Sequence, residues 1–345
     1  MIAAGRTVSD VVTLQLRGLM GEGEEQTGAL PLDETFLVPV RISGASMDVL
    51  RGSDVAYYVV KRSSAITVAA QLGEGNWINF PTLDKYGANS QAWNGLTAMT
   101  YEALIYIDEF ATTDAEDMPV SISSVMGVEQ YLLLRIGDTS FERQQLQFDG
   151  SGNGSQFGKF PGKDATKNLE AGRWYHVACT YDQTTRTVRV YVDGKIQSEE
   201  TGVGISSPSK KNQINLAMRA LYDLWNSASE TEKPQYETED TGYNKLGDAY
   251  QFFIGKSYDE KRPLNGKIAE ARVWSVARTP EQIWENMYNV ENPADDPTLL
   301  GYWKFNEGAG NTVRDYSMYG NDGVAESDIT WPAGIEIPKI NETNE

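Results

Sequence analysis

Residues 171–194, AGRWYHVACTYDQTTRTVRVYVDG, read as two β-strands joined by a tight polar turn. In the second strand, Val188, Val190 and Val192 alternate with Thr187, Arg189 and Tyr191. A period of two places the valines on one face of a half-buried strand. Asp193-Gly194 ends it, because glycine accepts the positive φ that a tight turn needs. The first strand, Trp174 to Tyr181, is aromatic and apolar, and Gln183-Thr184-Thr185 supplies the polar reversal. This hairpin holds the one cysteine and the one histidine of the chain. Cys179 has no internal disulfide partner and reads as a buried, inert thiol. A Ser-His-Asp triad or a zinc site would have to use His176. No nucleophile motif adjoins it, so it reads as a structural histidine bonded to a neighbouring backbone group.

The 345 residues are 40% hydrophobic, enough for a sizeable core and two domains. A net charge of −19 argues against nucleic acid, since binding a phosphate backbone needs basic surface. The same acidity supplies oxygen ligands for Ca²⁺, besides keeping the surface soluble. No run is long and apolar enough for a transmembrane segment. The start, MIAAGRTV, lacks a signal-peptide pattern, so export would require a targeting segment upstream.

Strand signals recur along the whole chain. Up to residue 66 they are Val11–Leu19, Thr35–Ser43 and Val55–Lys61, and Pro39 marks the second as an edge strand or a bulge. Three strands make a poor independent core, so residues 1–66 form a small partial β-sandwich module. After a linker at 63–75, strands are expected at 77–80, 101–110, 121–127, 131–136 and 145–148. The Gly-rich SGNGSQFGKFPGKD that follows has the wrong spacing for a phosphate loop and reads as a flexible connection. Beyond the hairpin, strands are expected at 212–219, 251–256 and 268–276. Thr279-Pro280-Glu281-Gln282 then opens a short helix with an N-cap, a proline at its first position and a capping box. Ile283, Trp284 and Met287 form its apolar side. LLGYWKFNEGAGNTVRDYSMYGNDG adds a strand and a long turn, and a polar tail starts at Pro338. Many short strands with one brief helix predict an all-β sandwich over 67–337.

The hairpin pattern W-x-H-V-A-x-T-Y-D…V-x-V-Y-V-D-G resembles the laminin G-like, concanavalin A-like jelly-roll family. R-P-L-N-G-K-I-A-E-A-R-V-W from Arg262 and W-x-F-x-E-G-x-G…D-x-S-x-x-G-x-x-G from Trp303 resemble further segments of the same family. The resemblance runs over about 73–334. It implies a jelly-roll sandwich that handles glycans, with one Ca²⁺ at a rim. Asp315, Asn321 and Asp322 in RDYSMYGNDG are the candidate metal ligands, because Ca²⁺ takes six to eight oxygens from such loops. The alternative for Asp315 and Asn321 is a side-chain turn with their own backbone. D-E-T-F-L-V-P-V-R-I-S…Y-Y-V-V-K resembles the second half of a Bacteroidetes domain-of-unknown-function module found at the head of surface lipoproteins. Residues 1–66 are thus the end of such a module or a degenerate copy.

Catalysis has a geometric requirement. Retaining glycosidases hold two carboxylates about 5–5.5 Å apart and inverting ones about 6.5–9.5 Å apart. On one strand this needs acids at i and i+2, which the related glycosidases carry as E-x-D-x-x-E. No such motif is present. Glu102 and Asp108 share a face but lie about 20 Å apart at ~3.3 Å per residue. Sugar binding instead asks for aromatic faces on loops. Trp174, Trp274 and Trp303 read as core. Tyr222, Trp225, Tyr236 and Tyr243 lie in a connection of about thirty residues where two to five are usual, and Tyr258 and Arg262 lie just beyond. LYDLWNSASE within it has the pattern of a short helix, which would turn Leu221, Leu224 and Trp225 inward. The expected function is a non-catalytic carbohydrate-binding protein. By its resemblance it would be a bacterial cell-surface or outer-membrane lipoprotein of a glycan-uptake system, with its lipid anchor upstream. A protein-adhesion or spacer module, and a glycoside hydrolase with a non-standard carboxylate pair, are the alternatives.

Overall fold

The computed structural model describes residues 35–42, 54–61, 66–73, 75–83, 88–110, 122–129, 131–150, 157–205, 213–217, 229–231, 251–257 and 262–335. The chain divides into two compact units, Met1–Ser64 and Ala65–Glu345. In the first, β1 (Thr35–Arg41) and β2 (Val55–Lys61) pair antiparallel, with Pro39 opposite Tyr57. Arg41 and Asp54 close the ribbon with an ion pair of 2.9 Å. The strand expected at Val11–Leu19 lies outside the described residues.

The second unit is an all-β sandwich of two antiparallel sheets. Its strands are β3 (Ala70–Leu72), β4 (Ile78–Asn79), β5 (Ala98–Ile107), β6 (Ser123–Val128), β7 (Leu132–Ile136), β8 (Leu146–Gly150) and β9 (Gly158–Phe160). There follow β10 (Trp174–Asp182), β11 (Thr187–Val192), β12 (Lys195–Thr201), β13 (Phe252–Ile254), β14 (Gly266–Trp274), β15 (Leu299–Trp303), β16 (Thr312–Val313) and β17 (Gly323–Ala325). One sheet runs β12-β11-β10-β5-β14-β15, with β3 also on β14, and the other β16-β17-β4-β13-β6-β7-β8-β9. Helix α1 (Ala88–Ala92) precedes β5, and α2 (Pro280–Glu285) follows β14.

Alternation fixes what each sheet turns inward. Tyr101, Ala103, Ile105, Val177, Cys179, Val188 and Val190 from one sheet meet Leu132, Leu134, Phe148, Phe252 and Ile254 from the other in one continuous core. Phe80 and Trp303 rings lie 4.5 Å apart at its centre, and Trp93 meets Phe252 edge-on at 5.1 Å. Burial pushes the Cys179 thiol well above its usual range, as an inert core thiol requires.

The central hairpin forms as read, with Val177 opposite Val192 and Asp182 opposite Thr187. Asp193 and Gly194 both take positive φ, 49° and 72°, and turn the chain into β12. The sequence reading had no strand there, because KIQSEET is polar and β12 lies at the edge of its sheet. Gly158–Phe160, read as part of a flexible connection, instead pairs with β8. The capping box of α2 is present in full: Thr279 accepts from the Gln282 backbone and Gln282 from that of Thr279. Its buried side holds Ile283 and Met287, whereas Trp284 turns to solvent. Trp274 and Trp303 are core, and Trp174 is only partly buried.

Candidate functional site

Five strands of the eight-stranded sheet line up one row of its outer face. Phe253, Gly127, Leu133, Asp149 and Lys159 stand opposite one another in β13, β6, β7, β8 and β9. Two residues along in β7 and β8, and three in β6 where a bulge intervenes, Arg135, Gln147 and Ser124 make a second row on the same face. Arg135 is the hub. Its Nε donates to Gln147 Oε1 at 2.9 Å, its Nη1 meets Asp149 Oδ2 at 2.9 Å and its Nη2 meets Asp138 Oδ2 at 3.0 Å. Lys159 closes on Asp138 from the strand beyond. Arg135, Asp138, Gln147 and Asp149 are all buried. Gln147 Nε2 and Ser124 Oγ are buried without a hydrogen-bond partner. Towards the other end of the row, Lys256 Nζ sits 4.1 Å above the Trp77 ring and 5.0 Å from the centre of Phe253.

Arg262 belongs to this face. Its carbonyl accepts the Ser124 N–H at 3.1 Å, and its guanidinium holds Glu129 Oε1 at 2.9 Å. It joins the face through that ion pair. The aromatic candidates Tyr222, Trp225, Tyr236, Tyr243 and Tyr258 lie outside the described residues. Arg135, Asp138, Gln147, Asp149 and Lys159 escaped the sequence reading. Their signal was present in LQFDG, where Gln147 and Asp149 take the alternate positions of an apolar strand.

The outer face of the other sheet is a second buried charge network, lying under α2. Glu102 on β5 is flanked by His176 Nε2 at 3.4 Å, Arg272 Nη1 at 3.6 Å and Arg278 Nε at 3.3 Å. Arg272 also binds Glu270 at 2.5 Å and the Asn286 carbonyl at 2.7 Å, and Tyr302 donates to Glu270. Glu270 reaches this cluster because a bulge in β14 places it at φ 52°. His176 thus has a carboxylate, not the expected backbone group, beside its ring, with Nε2 3.4 Å from Glu102 Oε2.

Asp315 is a third hub. Oδ1 accepts the N–H groups of Tyr302 (2.9 Å) and Ser317 (2.8 Å). Oδ2 accepts the Asn321 N–H (2.7 Å) and the Ser317 hydroxyl (2.8 Å). Asp322 Oδ1 accepts from the Asp315 N–H, and Asn321 Oδ1 accepts from the Thr82 hydroxyl. A carboxylate has about four acceptor positions, and protein donors occupy them all at Asp315. A Ca²⁺ ion would have to displace these donors, so this arrangement does not fit the cation. Among the described residues no group of three or more His, Cys, Asp or Glu side chains is placed to hold a metal.

A glycosidase acid needs a raised pKa, and burial lifts the Asp315 and Glu307 carboxyls in this direction. Burial pushes Asp138 up, but the Lys159 hydrogen bond and the Arg135 charge outweigh it and hold the carboxyl below its usual range. Asp149 is tied to the same guanidinium. Burial likewise pushes Glu102 up, and His176, Arg272 and Arg278 more than reverse it.

Residues 72–229 match the model of the concanavalin A-like lectin/glucanases superfamily. That segment is similar to laminin G-like, concanavalin A-like domains. A Bacteroides ovatus protein, for which carbohydrate binding is proposed, is 26% identical. It superposes with a TM-score of 0.55 over 88% of this chain and 70% of its own. A heptameric SAP-like pentraxin from Limulus polyphemus is 12% identical, with a TM-score of 0.40 over 78% of this chain and 95% of its own. The CBM40 domain of the Ruminococcus gnavus IT-sialidase, solved with α2,3-sialyllactose, is 10% identical, with a TM-score of 0.39 over 64% of this chain and 98% of its own. No curated protein matches the sequence. No helix among the described residues is long and apolar enough to cross a membrane.

Proposed function

We propose that the concanavalin A-like unit binds carbohydrate and does not hydrolyse it. The observation that carries this reading is its likeness to the Bacteroides ovatus protein, for which the same activity is proposed. One feature supports it. Asp149 is tied to the Arg135 guanidinium, and Asp138 and Glu102 are held below their usual range, the opposite of what a glycosidase acid needs. The binding groups in this reading are Tyr222, Trp225, Tyr236, Tyr243 and Tyr258, together with Arg262, whose guanidinium holds Glu129. The setting is an exported lipoprotein that captures glycans for an uptake system.

The test is a glycan array with the full chain, followed by incubation of each bound glycan and measurement of reducing ends. Binding without new reducing ends is expected. Turnover that disappears on changing one Asp or Glu would overturn the reading. Once a ligand is known, Trp225→Ala and Tyr243→Ala are expected to weaken it about thirtyfold with the melt unchanged. Normal binding by both would move the site away from these residues.

A further inference from the structure

Helix α2 divides its apolar side chains between two environments. Ile283 packs on Ala178 and Tyr191 of the sheet beneath. Trp284 stays 52% exposed, and Tyr288, one turn on, 40% exposed. An isolated exposed apolar residue is ordinary, but here two aromatics share one surface with Ile196 of β12, itself 43% exposed. Ile196 stands opposite Tyr191, on the sheet face that carries α2.

The indole is seated by the backbone. A Cβ on Gly194 would fall 2.8 Å from Trp284 Cε3 and 2.7 Å from Met287 Sδ. Glycine at this turn therefore lets the ring lie close against the chain. Polar groups stand beside it. Lys195 Nζ lies over the ring, 6.0 Å from its centre, on a flexible exposed side chain that a ligand would move aside. Asp193 Oδ2 accepts from Arg173 Nη2 at 2.8 Å, and both side chains are about half exposed. Burial and then the Asp193 charge push the Tyr288 hydroxyl up.

We propose that the Trp284 surface is a subsite for one pyranose ring of a neutral glycan. The apolar C–H face of the sugar would lie on the indole. Its hydroxyls would bond Asp193 as acceptor and Arg173 or Lys195 as donors. A flat ring with both donors and acceptors beside it suits an uncharged, hydroxyl-rich ligand. The net charge of −19 disfavours a polyanionic chain. The proposal rests on the carbohydrate-binding reading and adds a location to it.

The experiment probes an array of neutral plant, bacterial and host glycans, with sulfated glycans as a second arm, using the full chain. Trp284→Leu keeps apolar bulk but loses the flat face, and Trp284→Tyr keeps a flat face. Binding to neutral glycans is expected to weaken at least about tenfold in Trp284→Leu and in Tyr288→Ala. Trp284→Tyr and the remote exposed variant Met318→Ala should bind as the parent does. Melting temperatures should match throughout, since Trp284 is half in water; if Leu lowers the melt, Tyr288→Ala carries the comparison. A parent that binds glycans, with both platform variants binding equally well, would overturn the subsite and leave the carbohydrate reading standing. Preference for the sulfated arm would overturn the neutral-ligand assignment. No binding to any glycan would overturn both readings.

Discussion

Glu102 and His176 face each other across neighbouring strands of the sheet beneath α2, with Nε2 3.4 Å from Oε2 and both side chains buried. Arg272 and Arg278 close on the same carboxylate. Glu102 thus faces two buried guanidinium groups, that of Arg278 from the turn before α2 and that of Arg272 from β14, which Glu270 also holds. Removing one partner of a buried pair leaves an uncompensated charge, which costs about 3–5 kcal/mol. Glu102→Gln, equal in size, is expected to lower stability by about that amount in a urea melt followed by tryptophan fluorescence. A loss below about 1 kcal/mol would mean the arginines find other partners.

The pH dependence follows from the same carboxylate. Its folded pKa is depressed: burial raises it, but His176, Arg272 and Arg278 outweigh burial. Its contribution is therefore present above the unfolded value and is lost as pH falls through the folded one. Asp138 has the same sign. Asp315 has the opposite sign, because burial lifts its carboxyl despite the N–H groups of Tyr302, Ser317 and Asn321. The stability gap between parent and Glu102→Gln should stay constant near neutrality and close below pH 4.5, the ordinary glutamate value. A gap that holds down to the acid transition would contradict the depressed pKa.

Asp315 ties β15 to the final turn through the Tyr302, Ser317 and Asn321 N–H groups. Asp315→Ala leaves those donors facing a void, each at about 1–3 kcal/mol. A large drop in melting temperature is expected. Because protein donors fill this carboxylate, the parent should melt at the same temperature in chelator and in millimolar calcium. A calcium-dependent rise that Asp315→Ala removes would show that the cation displaces these donors.

What could be read in advance was local. The Val188–Val190 alternation, the Asp193-Gly194 turn and the Thr279–Gln282 capping box each sit within a few residues, and each appears where the pattern put it. The charge networks were hidden because they join distant positions. Glu102, His176, Arg272 and Arg278 meet only through the pairing of β5 with β10 and β14. Polar side chains inside strands also read as solvent-facing until the layer above them is known, and Arg135 and Asp149 are buried. Trp284 failed the other way. Its spacing with Ile283 and Met287 suggested one apolar side, but the sheet below receives Ile283 and leaves the indole outside.

Gly266, in the N-G-K-I-A-E run that opens β14, has a physical reason to be glycine. Its strand is hemmed in by Leu72 of β3 and Ile107 of β5. A Cβ there would sit 1.9 Å from the Tyr106 carbonyl oxygen and 3.0 Å from its carbon. Those are backbone atoms in the central strand of the sheet, so they cannot swing aside as a side-chain end would. Forcing them apart would also strain the adjoining bond from Asp108 N–H to the Asn265 carbonyl, now 3.0 Å. Gly266→Ala is expected to cost about 3 kcal/mol or more, at the upper end for overpacking. Gly73 provides the control: its nearest atom would be the movable Asn265 Oδ1 at 3.9 Å. Gly73→Ala should therefore shift stability by less than about 1 kcal/mol in either direction. Equal melts for the two variants would show that β5 and β14 separate easily at this end. The sheet that carries Glu102 and the seat of α2 would then be less rigid than its register implies.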